Sequence, residues 1–314
     1  MEAHLTGFFP RSEELVRVTR AFERNKLGRN EVEQATRNDA AHLLELQKKA
    51  SFDYVVDGQL NWQDHFRPFS RMFSGISSSG LTRWYDNNTF YKQPIITEKV
   101  QYLGTGLNEY FRYDLIPAKT AKKAILPGPY TFAHSSQRPA YNSMADLVND
   151  LAHALQELCR RLVEHGYSYF QFDEPALTFH KTNNDELTIA RNAFEILGHI
   201  PNAKTCLETY FGDAAPILDS LLEFKTDCIG IDLYATSLES IQDYRFDKEL
   251  ACGCVDGRNS LLETPNDLAK LLHKAEKITD KIAICPNCDL EFLPYTVAEK
   301  KIQLLSETKN QVKL

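Results

Sequence analysis

The sequence predicts an α/β fold, a (β/α)8 TIM barrel in a single domain over residues 1–314, on three observations. About eight short β-type runs alternate with longer helical stretches along the 314 residues. Most of these runs end in polar or charged residues, as strands do at the face of a parallel barrel that carries a site. No G-x-G-x-x-G follows any of them, so the alternative of an open doubly wound sheet lacks its usual dinucleotide signature.

The elements follow in order. A first β-type run, residues 5–9, stops at Pro10-Arg11, and Ser12 with Glu13 and Glu14 behind it is a helix start with acids in its first turn. Leu15, Val18 and Phe22 share one face of that helix. Asn30 caps a second helix that runs to about Ala50, and residues 54–59 form the next β-type run. Residues 61–96 are less regular and rich in aromatics, an excursion over one end of the fold. Within it, Arg83, Trp84, Tyr85, Asp86 and Asn87 combine charge, amide and large rings, which suits either a binding surface or a lid packed on itself.

A strand at 123–126 ends in Pro127-Gly128-Pro129, and a helix at 143–164 carries a stripe of Leu147, Leu151, Leu155, Leu158 and Leu162. Gly166 then leads into the run that organises the chain, Tyr169-Phe170-Gln171-Phe172-Asp173-Glu174-Pro175-Ala176-Leu177. Its rings favour a buried pleated surface and Pro175 ends the ladder, so Asp173 and Glu174 sit where the strand stops. They read as site residues, or as caps of the next element. Beyond them come helices at 184–197, 214–224 and 264–278 and one from 296 onward, between strands at 204–211, 228–234, 250–255 and 281–285.

Composition narrows the function. The chain is 43% hydrophobic and 25% charged, ordinary for a globular enzyme. A net charge of -7 leaves no basic surplus to neutralise phosphates, so no nucleic-acid partner is expected. No secretory h-region and no run long enough to span a bilayer are visible, so the expectation is a cytoplasmic protein with no membrane partner. Seven cysteines, an odd number, read as reduced thiols. Cys252, Cys254, Cys285 and Cys288 have spacings that could complete a tetrahedral zinc site. Alternation works against it, because Cys252 and Cys254 share one side of a strand while Cys288 lies past the end of another.

In a barrel, one mouth collects Arg11, Asp57, Gln59, Asn61, Thr131, Asp173, Glu174, Tyr210, Asp232, Asp256, Arg258, Asn259 and Cys288. Several carboxylates in one mouth raise each other's pKa values unless a cation compensates. A small-molecule substrate with an amino group would do so.

Several motifs then carry a resemblance. Gly7-Phe8-Phe9-Pro10-Arg11, Arg83-Trp84-Tyr85-Asp86-Asn87, Gly128-Pro129-Tyr130-Thr131-Phe132, Asp173-Glu174-Pro175-Ala176-Leu177, Thr209-Tyr210-Phe211-Gly212-Asp213, Asp256-Gly257-Arg258-Asn259 and Asn287-Cys288-Asp289-Leu290 occur in an order that resembles the cobalamin-independent methionine synthase family. The resemblance implies a (β/α)8 barrel and methyl transfer from a methylated folate or pterin to homocysteine on zinc.

Long enzymes of that family hold two related barrels, and the catalytic one binds zinc through His-x-Cys, a glutamate and a later cysteine. At those positions this chain has Thr209, Phe211, Asp232 and Cys288, so only Cys288 matches and no bound metal or cofactor is expected. The chain resembles the zinc-less N-terminal barrel as a stand-alone protein. The resemblance then implies an S-methyltransferase component of methionine biosynthesis working with a zinc-bearing catalytic barrel as partner, and leaves turnover by this chain alone open. Asp173 and Glu174 are the expected catalytic residues, Asp173 as amine holder; Arg11, Asp57, Arg83, Asp86, Asn87, Thr131, Tyr210, Asp232, Arg258 and Asn259 are the expected substrate contacts. Arg11, Lys26, Arg83 and Arg258 are candidates for a glutamyl tail by charge. Two alternatives stay open: a non-catalytic folate-binding or regulatory subunit, and a zinc-free barrel enzyme of another class such as a decarboxylase.

Overall fold

Among the described residues there are nine strands: β1 (Glu2–Ala3), β2 (Ile76–Arg83), β3 (Phe90–Ile96), β4 (Lys122–Pro127), β5 (Tyr167–Asp173), β6 (Lys204–Thr209), β7 (Cys228–Asp232), β8 (Glu249–Val255) and β9 (Ile282–Pro286). They come from a computed structural model that describes residues 1–245 and 247–312. Seven of them form one parallel sheet in the order β1-β9-β8-β7-β6-β5-β4. Its two edges both bond to residues 53–55: the Asp53 N–H donates to Ala3 O at 3.0 Å, and the Lys123 N–H donates to Val55 O at 2.9 Å. The ring of a barrel is thereby completed, with Val55 as a single bridge in place of a full second strand.

The pleat sorts β5 into two faces. Phe170 and Phe172 pack outward into the large apolar cluster shared with the helices, where Phe172 meets Phe194 edge-on at 5.8 Å. Tyr169 faces the barrel axis with Cys206, Cys228, Ala251, Ala283 and Cys285. Alternation then puts Gln171 and Asp173, Glu208 and Tyr210, Gly230 and Asp232, and Cys285 and Asn287 on the axial face, each set climbing toward the mouth. The axis is apolar at its base and polar at its top.

The helix Met144–Glu164 follows the sequence pattern closely. The Ser143 hydroxyl accepts from the Ala145 and Asp146 N–H groups at its start, and the leucine stripe is buried throughout. Gly166, at φ 84°, turns the chain into β5.

Other expectations need correction. The first strand lies at Glu2–Ala3 rather than 5–9, because Thr6 gives its hydroxyl to Pro286 O and Cys288 O and the Phe8 N–H goes to Asp289, so this stretch bonds to side chains and loops instead of a ladder. The second helix starts with Gly28 as its cap, whose N–H donates to Glu31, two residues before Asn30. The helix expected at 214–224 splits into a 3-10 turn, Ala215–Ile217, and a short helix, Leu218–Leu222, because the Ile217 and Leu218 N–H groups donate to the carbonyls of Ala214 and Ala215, three residues back rather than four. The irregular excursion holds an antiparallel hairpin, β2 with β3, and its rings Trp62, Phe66, Phe69, Phe73, Trp84 and Tyr91 are part of the core. Among the described residues, no helix is long and apolar enough to cross a membrane.

Leu155 is fully buried between the helix and the sheet. Leu155→Ala is expected to cost about 2–5 kcal/mol in urea unfolding, against roughly 0.5 kcal/mol or less for Arg160→Ala on the same helix's exposed face.

Candidate functional site

The mouth is built around buried carboxylates. Glu174, fully buried, accepts the Tyr130 N–H at 2.9 Å and the Thr131 N–H at 2.6 Å at the start of the helix Pro129–His134. Thr131 in turn accepts the Ala176 N–H on its hydroxyl at 3.2 Å. Asp173 accepts Gln171 Nε2 at 2.6 Å, and the same amide reaches Thr6 O at 2.9 Å. Burial pushes both carboxyls up to about 7, with Lys123 pulling Asp173 back and Glu174 pushing it further. Tyr210 leaves its hydroxyl without a partner near Asp173 and Asp289, and burial raises it.

Beside Asp173, as its register partner on β6, lies Glu208, also fully buried, with its Oε1 unpartnered. Burial pushes it well up, and Lys123 opposes that. It fits because the facing residue on β7 is Gly230, where a Cβ would fall well inside van der Waals contact of Glu208 Oε2. Gly128 stands in the same relation to Glu174, and Gly7 to Asp289.

A second group gathers on the side toward the hairpin. His65 stacks on Trp84 with centroids 4.1 Å apart and meets Phe8 edge-on at 4.7 Å. Its Nε2 lies 3.6 Å from Asp289 Oδ2, both atoms buried and without a hydrogen-bond partner. Asp289 Oδ1 is fixed by the Phe8 N–H at 2.9 Å. Glu291 is close enough that one ligand atom from each of His65, Asp289 and Glu291 falls within 4.8 Å of the others. Burial lowers His65 to about 3 and raises Glu291 to about 7, Arg11 opposing the latter. Glu291 and Arg11 share the wall of a cleft of about 540 Å³.

The positions of the family's zinc ligands do not fit that ion. Thr209 donates its hydroxyl to Gly230 O at 3.0 Å, and Phe211 offers a ring. Asp232 Oδ1 accepts from the N–H groups of Tyr234 and Ala235 and from Asn287 Nδ2 at 3.0 Å, and its Oδ2 accepts the Phe211 N–H, so both oxygens are engaged in the loop. Cys288 is a buried thiol pushed well above its ordinary value. Nor do the four cysteines converge, since Cys252 and Cys254 join the helix-side cluster while Cys285 lies on the axis.

Of the residues expected at the site, the structure brings together Asp173, Glu174, Thr131, Tyr210 and Asp232. Asp86 and Arg258 pair at 3.0 Å, and the guanidinium lies over Phe211 at 5.1 Å. Others are employed elsewhere. Asp57 gives both oxygens to the Gln59 and Arg112 N–H groups, Asn87 donates back to Trp84 O, and Asn259 accepts the Leu261 N–H in its own turn. Arg83 lies exposed over Phe90, and Lys26 lines a separate groove with Arg17, Arg20 and Arg24, so the four cations proposed for one tail do not converge. The sequence reading missed Gln171, Glu208, His65 and Glu291 as site residues. An amide or acid inside a β-type run, as in Phe170-Gln171-Phe172 and Leu207-Glu208-Thr209, was the available signal.

Comparison with known proteins identifies the family. Residues 66–283 match the model of the cobalamin-independent synthase N-terminal domain. The chain belongs to that family. A methionine synthase of Saccharolobus solfataricus is 28% identical over 307 residues, covering 96% of this chain and 91% of that one. A B12-independent methionine synthase from Shewanella sp. W3-18-1, solved in complex with selenomethionine, has a TM-score of 0.76 at 21% identity over 98% and 96% of the two chains. A vitamin-B12-independent methionine synthase homologue from Listeria monocytogenes has a TM-score of 0.79 at 15% identity with the same coverage. These likenesses carry the barrel fold.

Two expectations follow from the axial carboxyls. Because Asp173 and Glu174 are raised in the folded state, the stability they contribute is full below about pH 4 and is lost as pH rises through about 7. Asp173→Asn removes one such titration, so thermal midpoints should fall less between about pH 5 and pH 8 in the variant than in the wild type. Gly230→Ala is expected to destabilise by about 1–3 kcal/mol in urea unfolding, and adding Glu208→Ala should recover a large part of that loss.

Proposed function

We propose that this family member acts in the methylation of homocysteine, as a barrel of the N-terminal type that contributes contacts to a methylated folate or pterin while a partner barrel supplies the zinc. The observation that carries the reading is the contrast at the mouth. Thr209, Phe211 and Asp232 are committed to hydrogen bonds and packing at the metal positions, whereas Asp173 keeps a buried carboxyl with capacity for a cationic partner. A thiol acceptor needs activation to its thiolate, and nothing at those positions supplies it. An amino acid's ammonium group beside Asp173 would draw that carboxyl back to its charged form.

Arg258, latched to Asp86 over the Phe211 ring, stands at the rim, where an anionic group of an incoming ligand would compete for it. Arg11 does the same on the cleft wall. Turnover by this chain alone is the second reading, favoured by its spanning 91% of the Saccharolobus protein that bears the name methionine synthase.

The test is methionine formation from homocysteine and a methylated folate, measured with this chain alone and with a zinc-bearing catalytic barrel of the family added. Product only in the mixture is expected; product from this chain alone moves the second reading to first place, and turnover of a folate-free substrate overturns both. Asp173→Asn should weaken homocysteine binding by about 10-fold or more in calorimetry without loss of thermal stability. Parallel loss of binding and stability would reduce Asp173 to a structural role.

A further inference from the structure

We propose that His65, Asp289 and Glu291 form a binding site for a divalent first-row cation, zinc or manganese, at a place distinct from the family's zinc positions. The donor set is one imidazole nitrogen and two carboxylate oxygens, a combination that both ions accept. The geometry is half assembled. His65 Nε2 and Asp289 Oδ2 stand 3.6 Å apart, beyond a hydrogen bond, yet close to the roughly 3.4 Å that separates two ligand atoms on one ion at metal–ligand lengths of about 2.0–2.2 Å. Glu291, within 4.8 Å, closes the set by rotating its side chain from the cleft wall.

A second observation separates this group from an ordinary acidic cluster. His65 Nε2 and Asp289 Oδ2 are both buried and neither has a partner, although His65 is 8% and Asp289 1% exposed. Buried polar atoms are left unpaired only at a cost of about 1–3 kcal/mol each, so two facing one another call for a third body between them. The surroundings also hold the ligands in place. The His65 ring is clamped between Trp84 and Phe8, and the second Asp289 oxygen is tied to the Phe8 N–H. Three protein ligands leave further positions on the ion open toward the cleft, where Arg11 stands.

The assay is metal binding and does not depend on methyl transfer. The full chain is stripped with a chelator, dialysed against zinc alone or manganese alone, and its metal content measured by elemental analysis. About one equivalent of either ion is expected. His65→Ala, Asp289→Asn and Glu291→Gln should each weaken binding by at least about 10-fold, whereas Cys288→Ser leaves it unchanged. Cobalt substituted into the wild type gives a visible absorption band that Glu291→Gln shifts or abolishes. Because Glu291 is half-buried on the cleft wall, its variant tests the site even if His65→Ala fails to fold, which circular dichroism reads directly. Less than about a tenth of an equivalent of both ions in the wild type, or binding lost in Cys288→Ser and kept in Glu291→Gln, overturns the proposal.

Discussion

Carboxylates buried along the barrel axis are the constraint from which the rest of this structure follows. A charged group taken out of water is tolerated only with compensating donors and with space to receive them. Here the space comes from glycines. Gly128 yields to Glu174, Gly230 to Glu208 and Gly7 to Asp289, in each case on a segment adjacent to the acid's own. The donors come from backbone: the N–H groups of Tyr130 and Thr131 for Glu174 and of Phe8 for Asp289. Glu208 lacks such donors and relies on Lys123, itself buried and bound to His4 Nδ1 at 2.9 Å and Leu5 O at 3.0 Å. That lysine draws the first segment of the chain into the barrel.

The N-terminal segment therefore does more than close the sheet. After two residues of strand it leaves the ladder and runs up the axis, where Thr6 meets both Gln171 Nε2 and the carbonyls of Pro286 and Cys288. Gln171 connects it to Asp173, and Phe8 connects it to Asp289 and to the His65 ring. The two carboxylate groups of the mouth are thus held by one stretch of chain, residues 6–8. Movement there would reach the axial pair and the His65 group together.

Much of the barrel was legible because alternation and helical periodicity act locally. The leucine stripe at 147–162 and the polar exits of the strands needed no tertiary information. What depended on register was not legible. Glu208 opposite Gly230 is a fact about which residue of β6 faces which residue of β7, and no local pattern encodes it. Residues 5–9 look like a strand from composition, yet Asp289, far along the chain, takes the Phe8 N–H. Val55 closes the ring with one bridge where Tyr54-Val55-Val56 suggested a full strand. Of the residues expected at the site, Asp173, Glu174 and Thr131 do come together, whereas Asp57 and Asn259 are consumed by the turns they make.

Phe211 links the mouth to the hairpin. Phe211 sits at φ 68°, a conformation uncommon for a side chain of its size, and its N–H is held by Asp232. Its ring packs against Tyr85 and Tyr210 and under the Arg258 guanidinium, which in turn grips Asp86 on the hairpin turn. Phe211 is thus the anchor that ties the aromatic excursion to the mouth. Replacing Thr209 and Phe211 would remove the Thr209 bond to Gly230 O and the ring beneath Arg258, loosening the hold of the hairpin turn on the mouth. The strand exit from Thr209 to Phe211 therefore works as a joint of hydrogen bonds and packing between β6, β7 and the hairpin.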